Sequence, residues 1–423
     1  MKPVFQPKPM SGALVVLMVT LLTAVQPIAT DLYLSALPAI RREYGAPVGV
    51  VQLTLSLVVF SFGLSQLFWG PAADRFGRRP VLISGFVLYT GGALGGALAP
   101  TIEVLIVARI AQGLGVAASM VCGRAMVRDL YEPNRGTHVM AAAMTVLAGM
   151  TMVIPILGAL LATYFGWRAT LLAMALFGAA TLLLVLLRVP ETVPQLSPDA
   201  MRIGPLFRGY GIVMRHRGFQ AWTLLNSAGY AANFGFYSSS AYLFIDTFGV
   251  SRVAFGGVIG GASFTYMIGT ILCRRWMKQI GILHSVRRAG VLSLVAAALF
   301  IVPQLFAEHT AVTLALALWT SLLAYGVHQP CGHVGIAASF PERAGAASAL
   351  GGFVLAVAAF LCGTWLGYMF QSGSAAVLSL TIGVLVGAVG LFALTLVQRH
   401  GEPSIAPPAP PSPVPELSSR GTS

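Results

Sequence analysis

About twelve long apolar stretches succeed one another between residues 11 and 397, and their length leaves this chain few possible folds. They run over 11–37, 50–70, 81–99, 101–123, 137–163, 168–188, 219–242, 253–273, 288–305, 310–331, 344–367 and 374–397. Most approach the ~20 residues with which an α-helix crosses a bilayer. Strands of a membrane barrel would be about half as long and would alternate in polarity; these stretches do neither. Hydrophobic residues make up 57% of the chain and charged ones 9%, where a soluble domain carries roughly a quarter charged. The first stretch has some likeness to a signal peptide, but its length, Pro27 and the spans that follow predict a retained helix. The fold class expected is an all-α membrane protein with twelve transmembrane helices.

Net charge is +13, and its distribution speaks against a nucleic-acid surface. On the spans above, 21 Lys and Arg fall on the side of the N-terminus, four on the other side (Arg41, Arg42, Arg168, Arg252), and Arg109 lies within a span. By the inside-positive bias both termini face the cytoplasm. Cys122, Cys273, Cys331 and Cys362 are scattered in or beside apolar spans, as small buried hydrophobes are. His328 and His333 are five apart, a poor match to one helical face, and have no nearby carboxylate. No metal or other cofactor is expected.

The spans divide into two blocks of six. The expected units are an N-terminal six-helix bundle (1–188), a cytoplasmic linker (189–218) with a short interfacial helix near 203–213, a C-terminal six-helix bundle (219–397) and a Pro-rich tail (398–423). Two such halves suit alternating access to a central site, and a complete pair makes a monomer sufficient.

Between the second and third spans, residues 70–80 form a knot of charge. Gly70 and Pro71 punctuate the end of the span, Gly77 supplies a turn, and Asp74 can accept from Arg75, Arg78 or Arg79, or from free N–H groups of a helix end. Arginines alone would be a topology anchor; the added Asp and glycines suit a conformational latch. The corresponding stretch of the second half, 273–281, is basic but lacks the Asp. Asp129, after Arg128, belongs to the cytoplasmic end of the fourth helix or its loop.

At 70–79 the chain resembles the major facilitator superfamily, specifically bacterial Bcr/CflA-type drug:proton antiporters, whose signature between helices two and three is nearly unbroken here. The stretches 31–38 (Asp-Leu-Tyr-Leu-Ser-Ala-Leu-Pro) and 109–115 (Arg-Ile-Ala-Gln-Gly-Leu-Gly) resemble further motifs of that family. The resemblance implies proton-driven export of small drugs, chloramphenicol-like or bicyclomycin-like, across the bacterial inner membrane, with the proton as coupling ion. It also implies a packing role for Gly149, Pro155 and Gly158 in the fifth helix. There the motif departs: Ile154 precedes the proline and Ala159 stands where a second glycine is usual.

Asp31 and Arg109 are the intramembrane charges. Pro38 lies seven residues beyond Asp31, and Thr101 eight before Arg109, which sets both roughly 10–12 Å in from their helix ends at 1.5 Å per residue. A lone charge there is costly unless paired or wetted. Two readings stand at this level. One is a structural ion pair locking helices one and four. The other gives Asp31 proton and cationic-substrate duty, with Arg109 biasing its charge state. Candidate cavity residues are Tyr33, Gln52 and Gln112 in the first half, and Asn226, Tyr230, Asn233, Phe234 and Tyr237 in the second. An apolar cavity with a few polar groups suits small amphipathic compounds.

The chain has neither a phosphate-binding loop for ATP nor a defensible Ser/His/Asp set, so a transporter is expected rather than an enzyme. The alternative substrates are endogenous metabolites; a non-transporting receptor is a more distant reading.

Overall fold

Side-chain oxygens open several helices by capping free backbone donors. Ser11 accepts from Leu14 N–H at 3.3 Å, Thr101 from Val104 N–H at 3.5 Å, and Thr310 and Thr313 form a reciprocal box. The computed structural model describes residues 11–306, 310–340, 343–369 and 374–402. Among the described residues there is no strand. The helices are α1 (Gly12–Asp31), a 3-10 turn (Leu34–Ala36), α2 (Leu37–Tyr44), α3 (Val48–Phe76), α4 (Arg78–Ala97), α5 (Ile102–Leu130), α6 (Pro133–Tyr164) and α7 (Trp167–Arg188). After a linker come α8 (Ile203–Met214), α9 (Arg217–Ala241) with a π-helical turn (Tyr242–Thr247), α10 (Arg252–Phe306), α11 (Ala311–Ala338), α12 (Ala344–Met369), α13 (Ala375–Leu394) and α14 (Leu396–His400).

Ten of these runs are long and apolar enough to cross a membrane, counting α1 with α2 as one. α9 falls outside that set because Asn226, Ser227, Asn233 and Ser238–Ser240 dilute its hydropathy. α10 is twice the usual length and is broken at Gly281 (φ +77, ψ 175). The architecture is an all-α, multi-pass membrane fold with ten to twelve long apolar helices. The helix expected near 203–213 is α8. The Pro-rich tail beyond Glu402 lies outside the described residues.

The expectations shift in two places. Residues 70–80 are not an open loop: α3 runs through Pro71 to Phe76 and α4 starts at Arg78, so Gly77 alone is non-helical. Its φ of +102 is the left-handed region that favours glycine. The first span is not one helix either. α1 stops at Asp31, and the chain passes through a 3-10 turn before α2 resumes.

In the first half α5 packs on α1, α3 and α4, while α6 packs on α1 and α7 on α4. In the second, α9 packs on α11, α12 and α13, and α10 on α11 and α13. Two long contacts cross between them, α3 on α12 and α6 on α10. Small residues permit the first: a Cβ on Gly63 would lie 2.1 Å from that of Ala356. Such close approach drives helix association where lipid supplies little hydrophobic force.

Candidate functional site

Arg109 is fully buried in α5, and it is satisfied without a carboxylate. Its Nη2 donates to Ala29 O of α1 at 2.7 Å and its Nε to Thr54 O of α3 at 3.1 Å. Nη1 donates to Gln112 Oε1 one turn on, and the guanidinium lies 4.3 Å from the Tyr33 ring centroid. Tyr33 is held by its own hydroxyl, which donates to Thr54 Oγ1 at 3.1 Å. Arg109 therefore ties three helices through carbonyls of a rigid frame. The ion pair with Asp31 is not formed: matched depth along two helices does not set the azimuth at which each side chain leaves its axis.

Asp31 ends α1, half-buried, and accepts from Thr30 Oγ1 at 2.7 Å. No Lys, Arg or His lies within ion-pair distance of it among the described residues. Across from it, within electrostatic reach, stand Tyr230 and Tyr237 of α9. Two further tyrosines join them. Tyr266 of α10 and Tyr325 of α11 have ring centroids 6.1 Å apart, and Tyr266 donates to Gln329 Oε1. The buried hydroxyl of Tyr325 meets no partner among the described residues. A carboxylate from one half thus faces a tyrosine cluster from three helices of the other.

Other cavity candidates turn out to be framework. Gln52 donates to Ser239 Oγ at 2.8 Å and to Ser238 O at 3.3 Å, joining α3 to α9. Gln112 serves Arg109 and approaches Met174 Sδ at 3.4 Å. Asn226, with its amide turned to suit its neighbours, bridges His328 O and His333 N at 3.3 Å each. Asn233 donates to Gly229 O of its own helix at 2.9 Å, and buried Phe234 packs where a Cβ on Gly363 of α12 would come. Tyr33 lies buried beneath Arg109. Tyr266, Tyr325 and Gln329 carry no signal in the sequence, because lone polar residues on long helices follow no periodic pattern.

The charged junction between α3 and α4 is a network. Arg78, with a side chain 4% exposed, donates from Nη1 to Asp74 Oδ1 at 2.6 Å and from Nε to Asp129 Oδ2 of α5 at 3.0 Å. Glu191, just past α7, accepts from the backbone N–H groups of Arg78 (2.8 Å), Arg79 (3.2 Å), Thr192 (2.9 Å) and Val193 (3.1 Å). A carboxylate at a helix N-terminus also meets the positive end of its dipole. Asp74 therefore pairs with Arg78, and the helix end is closed by Glu191 instead. Arg79 donates to Leu186 O at 2.9 Å; Arg75 is exposed over Phe76, and Gly70 has a free margin of 4.0 Å around a Cβ.

In α6, a Cβ on Gly158 would come 2.3 Å from Leu32 O, so the glycine admits the broken end of α1. Pro155 O lies 3.2 Å from a Cβ placed on Gly256 of α10. Gly149 is exposed with open space around it, and no close contact there requires a glycine. At the face opposite the charged junction the halves meet at several further points. Besides Gln52 with Ser239, the 3-10 turn meets α9 and α10, α2 meets the π-turn, and Arg252 Nη1 donates to Ala162 O at 3.4 Å.

No group of three His, Cys, Asp or Glu could hold a metal among the described residues. The four cysteines are free and buried, with Cys273 and Cys331 Sγ 3.5 Å apart.

Residues 19–363 match the Major Facilitator Superfamily, and the chain belongs to that family of membrane transporters; it is a transporter and not an enzyme. It is 27% identical over 400 residues to the Multidrug resistance protein D of Escherichia coli, covering 92% of this chain and 97% of that protein. It is 28% identical over 392 residues to a Chloramphenicol resistance protein of Pseudomonas aeruginosa, covering 92% and 86%. Among solved structures, the human organic anion transporter MFSD10 (TETRAN) superposes with a TM-score of 0.69 at 18% identity, covering 91% of this chain and 100% of that one. A peptide transporter POT does so with 0.73 at 14% identity, covering 92% and 95%. These likenesses show a shared fold, and place the chain among small-molecule transporters related to multidrug-resistance proteins.

Proposed function

We propose that this chain is a Bcr/CflA-type drug:proton antiporter of the bacterial inner membrane, exporting small amphipathic drugs by alternating access. The relationship to a multidrug-resistance protein and a chloramphenicol-resistance protein along nearly their whole lengths supports the substrate class. In this reading twelve spans form two six-helix bundles, 1–188 and 219–397, joined by the linker 189–218, in a monomer whose termini are both cytoplasmic. The charged junction at 74–79 is then the cytoplasmic latch.

The observation that carries the reading is the isolation of Asp31. Arg109 is spoken for by Ala29 O, Thr54 O and Gln112, so among the described residues no cation pairs with Asp31. An unpaired carboxylate in apolar surroundings requires a proton or a cationic or strongly polar ligand. Proton and drug can then compete for Asp31. Protonation from outside follows drug release, and deprotonation inside restores affinity. The tyrosine cluster supplies apolar area with hydroxyls for orientation. Arg109 acts by holding α1, α3 and α5 in place around Asp31.

Chloramphenicol uptake into inverted membrane vesicles, with and without a protonophore, tests this. Wild-type uptake should collapse with the gradient, and Asp31→Asn at equal expression should lose gradient-driven uptake. Coupled uptake by Asp31→Asn at the wild-type rate would rule out the coupling role. Absence of any drug phenotype on loss of the protein would favour a metabolite as cargo.

A further inference from the structure

The end of α5 and the start of α6 enclose an open cavity of about 640 Å³ that lies apart from Asp31 and the tyrosine cluster. Arg124 and Arg128 stand on it, and Tyr131, Met140 and Met144 line it. It opens toward the second half: His333 of α11 lies within electrostatic reach of Arg124, and both residues are exposed. We propose that Arg124 and His333 form a subsite for the acidic group of an amphipathic organic acid, held between the two halves with its apolar part against Tyr131, Met140 and Met144.

Three observations carry this. The first is a pair of donors without an acid between them. Among the described residues no carboxylate lies within 4.0 Å of Arg124 or His333, and Arg124 Nε reaches only Met120 O at 3.4 Å. Asp129 gives its short contact to Arg78 at 3.0 Å and lies 3.9 Å from Arg128. A guanidinium fork and an imidazole N–H suit the oxygens of a carboxylate or sulfonate. The second observation is origin. Arg124 comes from α5 of the first half and His333 from α11 of the second. Basic residues that only set topology have no need to face one another; these two do, across the gap between the halves. The third is position. Tyr325, Gln329 and His333 follow at four-residue spacing, which puts them on one face of α11. His333 thus shares the face that carries part of the tyrosine cluster, about 12 Å along the helix from Tyr325. A bare inorganic anion would use the first observation alone; an amphipathic acid also uses the apolar wall and the path to the cluster.

The inference narrows the cargo of the export reading to compounds that include organic acids and zwitterions, and it rests on that reading. An acid held by groups of both halves binds more tightly as they approach, so its binding favours closure on that side. Binding at equilibrium needs no proton gradient. Failure of the subsite therefore leaves the coupling role of Asp31 standing, and failure of that role leaves the subsite.

Isothermal titration calorimetry on the full-length protein in lipid nanodiscs tests it, with 2-naphthoate and 2-naphthalenemethanol as probes that share one ring system and differ in charge. Wild type should bind the acid about tenfold more tightly than the alcohol, the worth of one charge-assisted hydrogen bond. Arg124→Met and His333→Leu should each lose most of that preference, Arg124→Lys should keep part of it, and either of the first two decides the matter if the other does not fold. Arg215→Gln, which removes an exposed charge just past α8, should keep the full preference. A wild-type protein that binds the acid no better than the alcohol overturns the proposal, as does full preference in folded Arg124→Met or His333→Leu. Equal loss in Arg215→Gln would assign the preference to diffuse surface charge and overturn it too. So would inorganic phosphate that displaces 2-naphthoate at equal concentration.

Discussion

Glu191 closes the N-terminus of α4 by accepting the Arg78 backbone N–H at 2.8 Å, so the segment after α7 holds the junction between α3 and α4. The same carboxylate takes three more backbone donors, and Gly77 leaves room for it: a Cβ there would be 2.3 Å from Glu191 Oε2. Glu191→Ala is expected to destabilise the protein by about 1–2 kcal/mol, the range for a lost helix cap plus its dipole contribution. Thermal melting in detergent should show this, with Glu191→Gln intermediate. An unchanged melting temperature in Glu191→Ala would mean that the cap is replaced by water.

Arg109 and Asp31 should separate in stability. Arg109→Ala leaves Ala29 O, at the broken end of α1, and Gln112 Oε1 without their buried donor and takes a second bond from Thr54 O, at about 1–3 kcal/mol for each buried group left unpaired. Asp31→Asn keeps a side chain that can still accept from Thr30. The melting temperature should therefore fall sharply in Arg109→Ala and stay within a few degrees of wild type in Asp31→Asn. Equal falls would contradict the separation.

Two glycines of α6 offer a matched pair. Gly158→Ala places a Cβ 2.3 Å from Leu32 O and should cost about 1–3 kcal/mol through overpacking. Gly149→Ala meets open space and should stay within about 0.5 kcal/mol or gain slightly in helix stability. Expression and melting of the two variants side by side would settle it; a larger loss in Gly149→Ala would refute the assignment.

Gln52 is the polar clasp between α3 and α9. Gln52→Leu removes its bonds to Ser239 Oγ and Ser238 O, and should loosen the face that is closed in this structure. With a cysteine in place of buried Ser35 in the 3-10 turn, labelling by a membrane-impermeant maleimide from that face should rise several-fold in the Gln52→Leu background. Labelling no faster than with Gln52 intact would show that the close contact of α3 with α12 suffices.

The membrane fold was legible from composition and span length, because hydrocarbon permits only segments that satisfy their own backbone. The same one-dimensional signal located Gly77, Asp74 and the arginines of the junction, where charge interrupts apolar runs. It placed Asp31 and Arg109 at similar depth as well, since depth is a count of residues along a helix axis. Partnership is a different quantity, set by the angle at which each side chain leaves its helix and by which helices lie alongside. Tertiary packing thus gave Arg109 to Ala29 O and Thr54 O, and left Asp31 facing Tyr230 and Tyr237. It likewise brought Glu191 back to α4 across more than a hundred residues, a closure that local pattern does not encode.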